Sequence, residues 1–265
     1  MGLPLFPPGD DPGPSFAALV RRNDQLRPKD ADPAAGGLPV RHGTTVATLR
    51  YAEGVVMAGD RRATEGNLIA HRGIEKVFPA DRYSAVAIAG AAGPAIEMVK
   101  LFQTQLEHYE KVEGVALSLE GKANQLGQMV REHLPMAMQG LAVVPLYAGY
   151  DLRRGAGRIF TYDVTGGHYE ETDHGATGSG GRDARSTIKL SWRPDMGRDE
   201  AIELAVRALY EAADEDSATG GPDVVRGIFP LVATVTASGY ERVTDEEVAE
   251  RFASLLEQPQ GGGRR

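Results

Sequence analysis

A chain of 265 residues is long enough for one large domain or two small ones, and 42% hydrophobic with 25% charged content is ordinary for a soluble globular protein. The formal net charge of -8 argues against nucleic acid or an anionic membrane as a partner. The absence of cysteine excludes disulfides, thiolate metal sites and a cysteine nucleophile.

Residues 1–43 hold eight of the 16 prolines, which remove backbone donors, so little regular structure is expected there beyond a helical turn at Phe16–Arg22. No apolar run approaches a membrane span, and Leu3–Phe6 is too short and too proline-broken for a secretory signal. The cytoplasm is the expected compartment. At Arg41-His42-Gly43-Thr44-Thr45-Val46 the composition changes. A Gly-Thr-Thr junction at such a border suggests a chain cut after Gly43, with 1–43 as a propeptide and Thr44 as a new N-terminus. The chemical rationale is that a threonine hydroxyl is a poor nucleophile, and a free α-amine on the same residue is a ready base for it.

From Thr44 the pattern becomes strand-like. Thr44–Arg50 and Val55–Asp60 read as a hairpin across Tyr51–Gly54, and Tyr83–Gly90 as a strand buried on both faces. Apolar residues three or four apart predict helices at Pro94–Val112 and Leu119–Met138, the second kinked or ended by Pro135. Strands return at Ala142–Asp151, Arg158–Val164 and Gly167–Glu171, with Gly166-Gly167 as a tight turn. A helix at Asp199–Asp214 and a strand at Phe229–Ala237 follow. The last helix opens at Thr244, where Thr244-Asp245-Glu246-Glu247 fits a capping box. Residues 44–256 are expected to form one domain and 257–265 a disordered tail. Helices arrive in a consecutive pair rather than one after each strand. That order predicts an α+β fold with two antiparallel sheets carrying helices on their outer faces.

Several residues could carry chemistry. A freed Thr44 amine has an ordinary pKa of about 7.7–8.0 and is a better base beside a cation that lowers it. Lys76, in a short apolar stretch, is the candidate cation, and Asp60 could hold it in place. By composition alone both read as solvated surface charges. Ala89-Gly90-Ala91-Ala92-Gly93 leads from a strand into a helix, and the Gly90 N–H could stabilise an oxyanion; the plainer reading is a tight turn. Gly178-Ser179-Gly180-Gly181 lacks the spacing of a phosphate-binding loop. Asp216-Ser217-Ala218-Thr219-Gly220-Gly221 could be no more than a helix end. His168, Asp173 and His174 have neither spacing nor geometry for a metal.

Taken together, Gly43-Thr44-Thr45-Val46, Val56-Met57-Ala58-Gly59-Asp60-Arg61-Arg62, Lys76, Gly90, Gly178-Ser179-Gly180, the run from Asp216 to Asp223 and Arg226-Gly227-Ile228-Phe229-Pro230 resemble the β subunits of the proteasome core particle, of actinobacterial type. These are N-terminal-nucleophile threonine peptidases. The resemblance implies a four-layer αββα sandwich, self-cleavage between Gly43 and Thr44, and Thr44 as nucleophile with its α-amine as base. It implies that Asp60 and Lys76 set the electrostatics and that the Gly90 N–H forms the oxyanion hole. Ser179, Asp216 and Thr219 would hold the amine and its water; the family usually has serine where Thr219 stands, and the hydroxyl is kept. Arg62 would brace Asp60, and Ala63, Ile74, Ile88, Ala92 and Ile96 would line an apolar substrate pocket. No cofactor is implied. The implied partners are heptameric β rings stacked with rings of an α subunit, a ring ATPase, and protein substrates marked by a small protein tag. Two other readings stay open: an inactive ring subunit, against which Thr44, Asp60 and Lys76 all stand, and an amidase of the same nucleophile class acting on a small molecule.

Overall fold

Alternation after Gly43 produces a strand, β1 (Thr45–Tyr51), which turns through Ala52-Glu53 into β2 (Gly54–Gly59). The computed structural model describes residues 43–65 and 68–257. The helical turn expected at Phe16–Arg22 lies outside these, as does almost all of the expected tail. A short hairpin of β3 (Ala63–Glu65) and β4 (Leu68–His71) follows, then β5 (Val77–Asp81) and β6 (Ser84–Gly90). Six of the seven residues of β6 are buried, as its unbroken apolar run requires.

Helix α1 (Ala92–Glu113) ends where Gly114 adopts a left-handed φ of 71°, a conformation open to glycine without steric cost. Helix α2 (Leu119–Glu132) is capped by the Ser118 hydroxyl, which accepts from the Gly121 amide at 3.0 Å. The helix expected to run on to Met138 breaks at His133, and Pro135 sits in the first turn of a separate short helix, α3 (Leu134–Ala137), where its missing N–H leaves nothing unpaired. Then come β7 (Val143–Asp151), β8 (Ala156–Tyr162), β9 (His168–Glu171), β10 (His174–Gly178), α4 (Gly181–Ser191), α5 (Arg198–Glu215), β11 (Leu231–Thr236), β12 (Gly239–Arg242) and α6 (Asp245–Glu257). Half of the expected capping box forms at α6. The Thr244 hydroxyl accepts from the Glu247 amide at 3.2 Å, but the Glu247 carboxylate turns to the Arg198 guanidinium, a stronger partner than a backbone amide.

The larger strands make two five-stranded antiparallel sheets, in the orders β10-β1-β2-β11-β12 and β5-β6-β7-β8-β9. Three apolar clusters account for their faces. Val46, Val55, Met57, Leu231 and Val235 of the first sheet meet Ala85, Ala87, Leu146, Ala148 and Ile159 of the second. On its other face the first sheet packs Leu49, Val56 and Ala58 against Ile188 of α4, Ile202 and Leu209 of α5 and Phe252 of α6. The second sheet packs Val86, Tyr147 and Phe160 against Phe102 of α1 and Leu126 of α2. The expected mixed α/β architecture with two antiparallel sheets is therefore present. Each of these large side chains contributes roughly 1.5–3 kcal/mol by leaving water.

Candidate active site

Strand register decides where Thr44 lies. Thr45 faces Gly178 on β10 and Val46 faces Gly59 on β2, so Thr44 leaves β1 between the ends of two neighbours. The Ser179 amide donates to the Thr44 carbonyl at 2.9 Å, and the Asp60 amide to the Thr45 carbonyl at 3.0 Å. Gly178 has a φ of +101°, and a Cβ there would lie 1.8 Å from the Thr44 carbonyl oxygen, so only glycine passes.

Asp60 terminates β2 and is fully buried. Its Oδ1 accepts from the Thr45 amide at 2.7 Å and the Lys76 ammonium at 2.6 Å; its Oδ2 accepts from the amides of Arg62 and Gly220, both at 2.9 Å. Four donors, one of them charged, offset the loss of water around a buried carboxylate. Lys76, 3% exposed, also donates to the carbonyls of Arg62 at 2.6 Å and Gly43 at 3.4 Å. Charges that composition alone would place on the surface go inside because each satisfies the other. Burial lowers the pKa of the Lys76 ammonium; the Asp60 carboxylate opposes the shift, and the Arg62 guanidinium adds to it.

A second cluster joins the loop after β10 to the loop after α5. The hydroxyls of Ser179 and Thr219 donate to Asp216 Oδ2 at 2.5 and 2.6 Å, and the Ala218 amide to Oδ1 at 3.1 Å. Burial on its own would raise the Asp216 carboxyl; these hydrogen bonds and the Arg62 guanidinium outweigh it and hold the group below the usual carboxylate range. The Arg62 guanidinium also donates to the Ser217 carbonyl at 2.8 Å, tying this loop to the end of β2.

On the other side of Thr44, the Gly43 amide donates to Thr64 Oγ1 at 3.1 Å. A Cβ on Gly43 would lie 1.9 Å from the Ala218 Cβ, so no side chain fits before Thr44. Thr44 also borders a small apolar cleft of about 20 Å³, lined by Ala63, Ile74, Glu75, Lys76, Ile88, Gly90, Ala92, Ala95 and Ile96. Gly90 turns with a φ of +115°, and a Cβ there would strike the Ala142 carbonyl oxygen at 2.0 Å.

The structure thus brings Thr44, Asp60, Lys76, Ser179, Asp216 and Thr219 into one neighbourhood, with Gly90, Ala63, Ile74, Ile88, Ala92 and Ile96 around the adjoining cleft. Sequence reasoning gave no role of their own to Thr45 and Gly220, which it quoted only within motifs, and passed over Thr64, Glu75 and Ala95. Threonine is common in strands, and nothing local marks one whose hydroxyl points at a distant loop. His168 stacks near the rings of Phe160 and Tyr162, and His174 pairs across β1 with Leu49. Among the described residues no group of three His, Asp or Glu side chains is placed to hold a metal ion, and no described helix is long and apolar enough to cross a membrane.

A buried threonine after a glycine with no room for a side chain thus lies beside a buried Lys–Asp pair and an apolar cleft. The proteasome subunit family matches residues 40–226, a span that contains every residue of both clusters. The chain belongs to that family, among its β-type threonine proteases. It is 63% identical over 255 residues to a proteasome subunit beta of Acidimicrobium ferrooxidans, covering 96% of this chain and 93% of that one. It is 59% identical over 233 residues to a proteasome subunit beta of Streptomyces griseus, covering 86% and 83%. The resemblance read from the motifs is correct at the level of the family and of its β-type subunits.

Proposed function

We propose that this chain is the catalytic β subunit of a proteasome core particle, made as a precursor whose 1–43 segment is removed by self-cleavage after Gly43. Thr44 is then the nucleophile. Its hydroxyl attacks the substrate carbonyl and forms an ester, while its α-amine takes the proton through water and returns it to the leaving amine. The Lys76 ammonium keeps the neighbouring amine from holding a proton too tightly, and Asp60 fixes Lys76. The Gly90 N–H serves the oxyanion; Ser179, Asp216 and Thr219 hold the amine and its water. The threonine that replaces the usual serine at 219 supports this role, since its hydroxyl reaches Asp216 at 2.6 Å. The apolar cleft accepts apolar side chains before the cut.

One observation carries the reading. The Lys76 ammonium, itself held by Asp60, faces the carbonyl of the very peptide bond whose hydrolysis would free the Thr44 amine. In the uncut chain that nitrogen is an amide and no base, so cutting and activation are one event. The rest of the proposal concerns the setting: a four-layer αββα sandwich, heptameric β rings stacked with α-subunit rings, a ring ATPase, substrates marked by a small protein tag, a cytoplasmic location, and no cofactor. The three apolar clusters support the layering, because each belongs to a different face.

The test is the intact mass of the chain after assembly with its α-type partner. A species beginning at Thr44 in the parent and a full-length one in Thr44→Ala, with peptidase activity lost, is the expected result. A Thr44→Ala particle that still hydrolyses peptides overturns the mechanism.

A further inference from the structure

Thr45 follows the proposed nucleophile; its backbone bonds to Asp60, while its side chain turns to a distant loop. Its side chain is fully buried, as is that of Thr219. Thr45 Oγ1 accepts from the Gly180 amide at 2.9 Å and lies 2.6 Å from Thr219 Oγ1, which in turn lies 2.6 Å from Asp216 Oδ2. The direction of each bond follows from what the two ends can do. A backbone amide only donates, and an ionised carboxylate only accepts. Thr219 has one hydrogen and gives it to Asp216, so the hydrogen between the two threonines belongs to Thr45. The chain runs one way: Gly180 N–H to Thr45, Thr45 O–H to Thr219, Thr219 O–H to Asp216.

Gly180 makes room for this arrangement. A Cβ at that residue would lie 2.7 Å from Thr45 Oγ1 and 2.8 Å from Thr219 Oγ1. The two hydroxyls meet only because no side chain stands between the loop and the strand.

We propose that Thr45 is a positioning residue for the hydrolysis: it ties the strand that bears Thr44 to the Thr219 hydroxyl and keeps the Thr219 oxygen an acceptor. The inference rests on the reading of Thr44 as nucleophile and of Thr219 as a group that holds its amine. An acceptor at Thr219 holds an N–H of the amine and leaves the nitrogen lone pair free for the proton of the Thr44 hydroxyl. A donor there would occupy that lone pair and silence the base. By donating to Thr219, Thr45 both fixes the oxygen in place and polarises its O–H toward Asp216.

The test compares Thr45→Val, Thr45→Ser and Thr44→Ala in particles assembled with the α-type partner, using a short fluorogenic peptide. Serine keeps the hydroxyl, and its kcat should stay within about twofold of the parent. Valine matches the shape without the hydroxyl, and its kcat should fall on the order of 10- to 100-fold, the range for losing a hydrogen bond that feeds a charged group. KM should hardly change, because Thr45 does not line the cleft. Gly180→Ala, which pushes a methyl between the hydroxyls, should reproduce the kcat loss and serves if the valine variant does not assemble. A Thr45→Val or Gly180→Ala particle with the parent's kcat, a loss confined to KM, or a serine variant as impaired as the valine one overturns the inference. An inactive Thr44→Ala beside a fully active Thr45→Val removes this relay alone, whereas an active Thr44→Ala removes the nucleophile reading itself.

Discussion

Asp60 shows how much of the site hangs on single atoms. Replacing it by asparagine turns one carboxylate oxygen into an amide nitrogen, which must face N–H donors from Arg62 and Gly220 or from Thr45 and Lys76. It also leaves the buried Lys76 cation without its counter-charge. Asp60→Asn should therefore cost about 3–5 kcal/mol of stability, read as a lower midpoint in denaturant at unchanged slope. Gly43→Ala acts on a different quantity. The added methyl collides with Ala218 and displaces the peptide bond from Lys76, so processing should slow at least on the order of tenfold in a mass time course, while a chain begun directly at Thr44 behaves as the parent. Asp216 supplies a sign for pH. Its folded pKa is depressed, so the order it gives the Ser179 and Thr219 loops is complete above the ordinary value of about 3.9 and is lost only as pH falls below that. Peptidase activity should show no Asp216-linked loss between about pH 5 and 8, and Asp216→Asn should lower kcat throughout that range.

Elements were legible where they bury a regular stripe, and opaque where they do not. β6 announces itself by an unbroken apolar run, and α1 and α5 by apolar residues that recur at the period of a helix. α4 has only Gly181, Ala184 and Ile188 facing inward, too sparse a stripe to read, and β10 (His-Gly-Ala-Thr-Gly) carries no apolar alternation because Gly175 lies tight against Thr161 and Leu146. β3 and β4 pair with each other alone, and β4 is exposed throughout. The residues of the candidate site could be gathered by motif resemblance, but their connections could not. Which hydroxyl meets which loop depends on strand register, which one sequence does not display. Between elements, Arg158 on β8 is buried among Glu170 of β9 at 2.7 Å, Glu120 of α2 at 2.5 Å and Asp151 at 3.2 Å. Its carboxylate partners are partly open to water, so Arg158→Met should cost about 1–3 kcal/mol and should lower thermal stability without touching processing. The β8–β9 turn predicts its own pH behaviour. Hydrogen bonds from Thr165, then Tyr169, pull Asp163 down to about 2, so the turn stays ordered as pH falls past about 3.9 and loosens only near its folded value. Amide exchange at Gly167, whose N–H donates to Asp163 at 3.1 Å, would report it.

At the scale of the whole molecule, the described residues leave large apolar side chains uncovered at several places, one of them α1 and the segments after it: Leu101 is 52% exposed, Val112 65%, Val115 63% and Met138 81%. If this layer meets a neighbour within the proposed rings, Leu101→Glu should leave the isolated subunit's stability within about 0.5 kcal/mol and yet reduce assembly in sedimentation. The hydrogen bond between Thr45 and Thr219 spans 174 positions, and that between Asp60 and Gly220 spans 160. A ribosome makes the two ends of each bond many seconds apart, at about 5–20 residues per second. The half of the chain that emerges first therefore carries its threonine into the cell without the groups that order it. On the proposed mechanism it cannot cut itself, or anything else, until nearly all of the remaining chain has been made and folded around it.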